Sequence, residues 1–247
     1  MLLQRLYIRV ALGLVYLAGA TSPAAAWAPA TQVTIAREAA RLSPPDLARQ
    51  IDRHRRAFEE GVANAAGSGP LDRAAVDAVA AAVAAIRGHQ PFEEIVRRLG
   101  TAAHWVAEAN DPLASSGADP EAGRYAADYS RYVETAEPRF PLVFYGVQPE
   151  LEAKRDLSPL IAAALRRGRE LSPMIGLEYR RIGFASGIGQ FDDRSSAFGA
   201  AALAFSHAVT DVTLALRYIW ITAGGIDGRA NLPARGTQLT VLPRSAP

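Results

Sequence analysis

The stretch PFEEIVRRLGTAAHWVAEANDPL, residues 91–113, decides how the rest of the chain is read. Phe92, Ile95, Val96, Leu99, Ala103 and Val106 recur at three- and four-residue steps, the period of an amphipathic helix with one apolar face. Pro91 suits the start of such a helix, and Pro112 stands where it must already have ended. At about 100° per residue, His104, Glu108 and Asp111 fall within about 60° of one another, so an imidazole and two carboxylates leave the helix on one stripe. Gly100, one turn earlier on that stripe, leaves space for a second backbone to come close. A solvated polar flank that happens to contain a histidine produces the same pattern, so the stripe alone is compatible with both.

The chain around this helix has 247 residues, 49% of them hydrophobic, enough to bury one sizeable core. Arg5 and Arg9 precede an apolar run over residues 10–20, and Ala24, Ala25 and Ala26 form the small-residue pattern of a cleavage site. Residues 1–26 therefore read as a removable signal peptide, too short in its apolar part to span a bilayer, and the mature chain is expected to be secreted or periplasmic with no transmembrane segment. Losing Arg5 and Arg9 takes the formal net charge from +2 to zero, so overall charge does not imply a polyanion-binding surface. No cysteine is present, which excludes disulfides and thiolate zinc sites and leaves imidazole, carboxylate, amide or chain terminus as metal donors. Cleavage after Ala26 makes Trp27 the first residue, with an α-amino group and carbonyl able to chelate a metal; the alternative role for Trp27 is an aromatic anchor in the core.

Outward from the central helix, periodicity predicts helices over residues 31–42, 45–66, 71–87, 121–136, 149–167, 173–182 and 195–222. Ser43 is the expected N-cap of the second, Gly168 the stop of the fifth, and the last should be central because it is apolar on almost every side. His54 falls in the apolar stripe formed by Leu47, Ile51, Phe58 and Val62 and is expected in the core; His89 is expected in an exposed turn. His207 and Asp211 are an i, i+4 pair expected to be buried and hydrogen-bonded. Residues 138–146 (PRFPLVFYG) suit an extended buried segment or a cleft wall, and the glycine-rich stretch 183–194 lacks the spacing of a phosphate loop. From Gly224 onward a poorly packed tail is expected.

A signal peptide ending before Trp27, helices throughout and LGTAAHWVAEANDPL together resemble the zinc-dependent phospholipase C and S1/P1 nuclease family, whose signature helix reads LG-x-x-x-H-x-x-x-D-x-x-x-P. The resemblance implies an all-α, multi-helix single domain over residues 27–228, with a C-terminal tail at 229–247. It also implies a centre of three zinc ions that hydrolyses phosphodiesters, one zinc being held by the amino and carbonyl groups of the terminal Trp. On this chain it assigns Trp27, His104 and Glu108 to metal, Glu108 standing where the family has Asp, with Gln32 or Asp111 completing the site. Glu108 and Asp111 are the expected catalytic residues. The chain departs from the family pattern at Gln32, Ala66, Ala114, Ala126 and Ser130, where the family carries ligands. The expectation is therefore at most one weakly held zinc, with phosphodiesterase activity toward a phospholipid or nucleic acid weak or lost. The alternative is a non-catalytic, envelope-associated or binding module that uses Trp105 and the aromatic segment 140–145.

Overall fold

The computed structural model of the protein describes residues 27–67, 69–115, 119–226 and 240–244. The segment expected to be a signal peptide and most of the expected tail lie outside the described residues. What is described is mostly helical: α1 (Pro29–Arg41), α2 (Pro45–Arg53), α3 (Arg55–Ala63), α4 (Leu71–Arg87), α5 (Phe92–Ala109), α6 (Ala122–Ala136), α7 (Pro149–Lys154), α8 (Ser158–Arg181) and α9 (Ser196–Thr222). A short 3-10 helix (Glu137–Arg139) and two three-residue strands, β1 (Leu142–Phe144) and β2 (Thr240–Leu242), complete it.

α9 is the axis of the core. Its N-terminus is fixed by Ser195, whose side chain accepts from the Phe198 N–H at 3.2 Å. It is buried along nearly its whole length, from Ala197 to Ile219, and α1, α5 and α8 all pack on it. α5 is the second organiser, lying between α3, α4 and α9. Its crossing with α3 is close for a chemical reason: Gly61 and Gly100 face the opposite backbone. A Cβ on Gly61 would lie 2.0 Å from the Arg97 carbonyl oxygen, and one on Gly100 would lie 2.1 Å from that of Phe58. The expected close approach at Gly100 is thus realised, with α3 as the segment that approaches.

Three local expectations need correction. The helix expected over 45–66 breaks at His54, whose φ of −113° and ψ of 33° leave the helical region. The halves serve different partners, α3 being held down on α5 by the glycine crossing, so His54 is a half-buried corner stacked parallel to Phe92 and not a core residue. Ser43 does not cap α2; its hydroxyl donates to the Ala39 carbonyl at 3.1 Å and finishes α1. Gly168 and Pro173 do not divide two helices but lie inside α8. Gly168 is buried where a Cβ would meet the Ser115 side chain at 2.7 Å, so it serves close packing, while Pro173 sits on the exposed face, where water can take the carbonyl its missing N–H leaves free.

The segment 138–146 is extended and buried as expected, with Phe140, Leu142 and Phe144 in the core. Val143 and Tyr145 donate their N–H groups to the Ser206 and Thr210 hydroxyls of α9, both at 3.2 Å. β2 pairs antiparallel with β1, Leu142 opposite Leu242 and Phe144 opposite Thr240. Residues 240–244 are therefore packed, contrary to the expected loose tail: Arg244 donates to the Glu137 carbonyl at 2.7 Å and pairs with the Glu137 carboxylate.

Candidate functional site

The C-terminal end of α5 is where the nominated residues meet. The last carbonyls of a helix lack their usual partners within it; Ala107 takes the Asn110 N–H at 3.0 Å, and Trp27 adds a second donor, its indole N–H at 3.1 Å with the ring almost wholly buried. This holds the start of the described chain against α5 and aims α1 along it. Gln32, buried in the first turns of α1, then reaches Glu108 and donates from Nε2 to Oε2 at 2.7 Å. Asp111 follows the helix end and is completely buried, its Oδ1 accepting the N–H groups of Leu113 at 2.7 Å and Ala114 at 3.2 Å. It closes the turn after α5 in the manner of an Asx turn.

The electrostatics of this cluster are dominated by burial. Glu108 is 7% exposed, and its carboxyl is pushed up to about 8, first by desolvation and then by the Asp111 charge, against the hydrogen bond from Gln32. At neutral pH it is mostly the neutral acid. The Tyr129 hydroxyl from α6 is likewise held far above its ordinary value by burial and by the Asp111 charge, and its oxygen has no hydrogen-bond partner. Thr31 Oγ1, beside Gln32, is a second buried oxygen without one.

His104 belongs to the same helix but to a different neighbourhood. Its imidazole is half-buried, edge-on to Trp105 with centroids 5.0 Å apart, and hydrogen-bonded to the Val62 carbonyl of α3. Nδ1 is buried with no partner, and desolvation lowers the ring's pKa, so the imidazole is neutral. The structure thus joins Gln32 to Glu108, couples Asp111 to Glu108 through charge and seats Trp27 beside them, while His104 faces α3. No group of three or more His, Asp or Glu residues arranged to hold a metal ion is found among the described residues. Tyr129 and Thr31 were missed by sequence reasoning because a Tyr in an apolar stripe and a Thr in a helix carry no mark of a polar cluster.

Other candidates have structural roles. Asp128 accepts from the Tyr179 hydroxyl at 2.8 Å, from Ser186 Oγ at 2.9 Å and from the Gly187 N–H at 2.6 Å, and so pins the glycine-rich turn to α6. Asp211 is buried and paired with Arg167, which also donates to Asn110 Oδ1 at 3.2 Å; His207 stacks on Tyr145 at 4.0 Å. His89 is exposed in its turn at a φ of 51°. Phe140 and Phe144 are core, so the aromatic segment is not an open cleft wall.

No family model matches this sequence. The curated proteins contain no match to it either.

Proposed function

We propose that this chain is an exported, non-catalytic protein on the helical architecture of the zinc-dependent phospholipase C/P1 nuclease type, with an amide in the place of a metal. The observation that carries this reading is the 2.7 Å bond from Gln32 to Glu108. In a zinc centre, that carboxylate must be ionised and must direct a lone pair at the cation. Here the Glu108 carboxyl is buried beside Asp111, and one of its oxygens already accepts from an uncharged donor. His104 has one nitrogen committed toward the Val62 carbonyl. The donor set does not fit a multi-zinc centre, and no hydrolytic step is derived through one. Without several cations to neutralise the charge that develops on phosphate, turnover of a phospholipid or nucleic acid has no chemical support on this chain.

A second reading, one weakly held zinc, is favoured by a specific feature: His104 Nδ1 is a buried lone pair that nothing satisfies. Metal content and turnover test both. Purified without chelators, wild type is expected to carry well under one zinc per chain and to leave a chromogenic phosphodiester and phosphatidylcholine intact in excess Zn²⁺. Gln32→His, which exchanges the amide for an imidazole beside Glu108, is expected to raise zinc affinity. Three tightly bound zinc ions with turnover would overturn the non-catalytic reading, and equal zinc content in wild type and His104→Ala would remove His104 from the second.

A further inference from the structure

An open cavity lies away from Glu108. It is a groove of about 600 Å³ between α4, the α7–α8 junction and the end of α9, within the range of small-molecule sites. Its floor is apolar and recessed, made by Val79, Val83 and Leu157, all buried. Its rim on α4 is Ala80 and Ala84, exposed side chains of a single methyl. The groove shares Val76 and Ser158 with a second one of about 510 Å³ that continues between α4 and α8 past Ile161 and Leu165, with Asp72, Arg73, Asp77 and Arg169 also in its lining.

Shape and charge select the occupant. The large exposed apolar side chains of the described residues, Phe92, Met174, Leu177, Ile188, Leu203, Ile226 and Val241, all lie outside both grooves. A recessed apolar floor under a rim of single methyl groups suits a slender alkyl chain. The mouth carries two guanidinium groups, Arg87 and Arg155. Arg87 donates to the Thr222 carbonyl at 2.7 Å. Arg155 is exposed and makes no ion pair or side-chain hydrogen bond among the described residues. It also occupies the left-handed region at a φ of 51°, a conformation in which glycine is the unstrained residue. The carboxylate in the lining, Asp156, accepts the Ser158 N–H at 2.9 Å and so caps α8. The mouth therefore holds an excess of positive charge beside a hydrocarbon-lined slot.

We propose that this groove binds a free long-chain carboxylate, its alkyl chain lying between α4 and α8 and its head group on Arg87 and Arg155. The guanidinium fork matches a carboxylate in two parallel hydrogen bonds. Titration of the full chain with sodium palmitate below its aggregation concentration is expected to give saturable binding of one palmitate per chain. Ala84→Trp, which fills the slot from its exposed rim, is expected to lose at least about tenfold in affinity, as is Arg155→Gly combined with Arg87→Gln. Arg155→Gly alone is expected to weaken binding while keeping or raising the melting temperature, because glycine relieves the left-handed strain; this separates a lost ligand contact from a lost fold. Methyl palmitate is expected to bind weakly and equally to wild type and the arginine variants. Absence of palmitate binding, palmitate binding unchanged in a folded Ala84→Trp, or methyl ester binding as tightly as the acid would each overturn the proposal. So would sedimentation with phosphatidylglycerol vesicles in the absence of palmitate binding, which would assign the arginines to a membrane surface.

Discussion

Glu108 shows how one carboxyl can be both a stabilising contact and a liability. As the neutral acid it keeps its bond from Gln32 inside the protein; as a carboxylate it is a buried charge beside Asp111. Its folded value of about 8 lies above the ordinary 4.5, so the folded state holds the proton longer than the unfolded chain. The stability this confers is complete below the ordinary value and is lost as pH rises through the folded one. Urea midpoints are therefore expected to carry a falling contribution between about pH 5 and pH 8 that levels off above, on the order of 1–3 kcal/mol in all. Glu108→Gln should remove it, and a variant with the full pH slope intact would show that the carboxyl is ionised in the fold. His104 acts with the opposite sign. Its lowered pKa means that stability is present above the ordinary 6.5 and is lost as pH falls through the folded value, so His104→Gln is expected to flatten the acid side of the same profile.

Between elements, the decisive contacts are backbone against backbone. α3 and α5 approach so closely at Gly61 and Gly100 that any side chain there collides with a carbonyl oxygen, which cannot swing aside as a side-chain tip can. Gly61→Ala and Gly100→Ala are each expected to cost about 2–4 kcal/mol in denaturant unfolding, or to prevent folding, through overpacking. Gly199 in α9 is the internal control. A Cβ there meets nothing within 4 Å, and Gly199→Ala is expected to be neutral or to stabilise by up to about 1 kcal/mol through helix propensity. A similar loss at Gly199→Ala would mean that the close crossing is not what sets the cost at Gly61 and Gly100. The same geometry explains the break at His54: α3 follows the glycine crossing, and the corner at His54 absorbs the change of direction from α2.

At the scale of the molecule, α9 is long and apolar enough to cross a membrane by composition, yet 83% of its most apolar window is buried within the fold. Its apolar character is that of a core helix surrounded on all sides. Native-state hydrogen exchange, followed by mass spectrometry, is expected to be slowest in α9 and α5 and to reach the global unfolding free energy there, with the six-residue α7 exchanging much faster. Exchange of α9 as fast as α7 would show that this helix is not the centre of the cooperative unit.

The helical class, the bounds of α4 and the central place of α9 were legible in the chain. Each rests on interactions three or four residues apart, and apolar periodicity and prolines report such local order directly. The helix that carries His104 and Glu108 was legible for the same reason, but the surroundings of those side chains and the turn that holds Asp111 beyond the helix end were not. Gln32 lies 76 residues from Glu108 and Trp27 lies 80 from Ala107, so no local pattern records that an amide meets the carboxyl or that an indole closes the helix end. His104 turns toward Val62 because α3 is drawn in by the glycine crossing, a contact between distant segments. Gly168 is ambiguous in sequence because its missing side chain permits either a helix end or a close contact, and only the presence of Ser115 against it selects the second. β2 is three residues with no strand periodicity to read, and it is a strand because β1 has an edge to offer it. Local order follows from neighbours along the chain; the state of Glu108 follows from what packing removes from water and what it leaves as a partner.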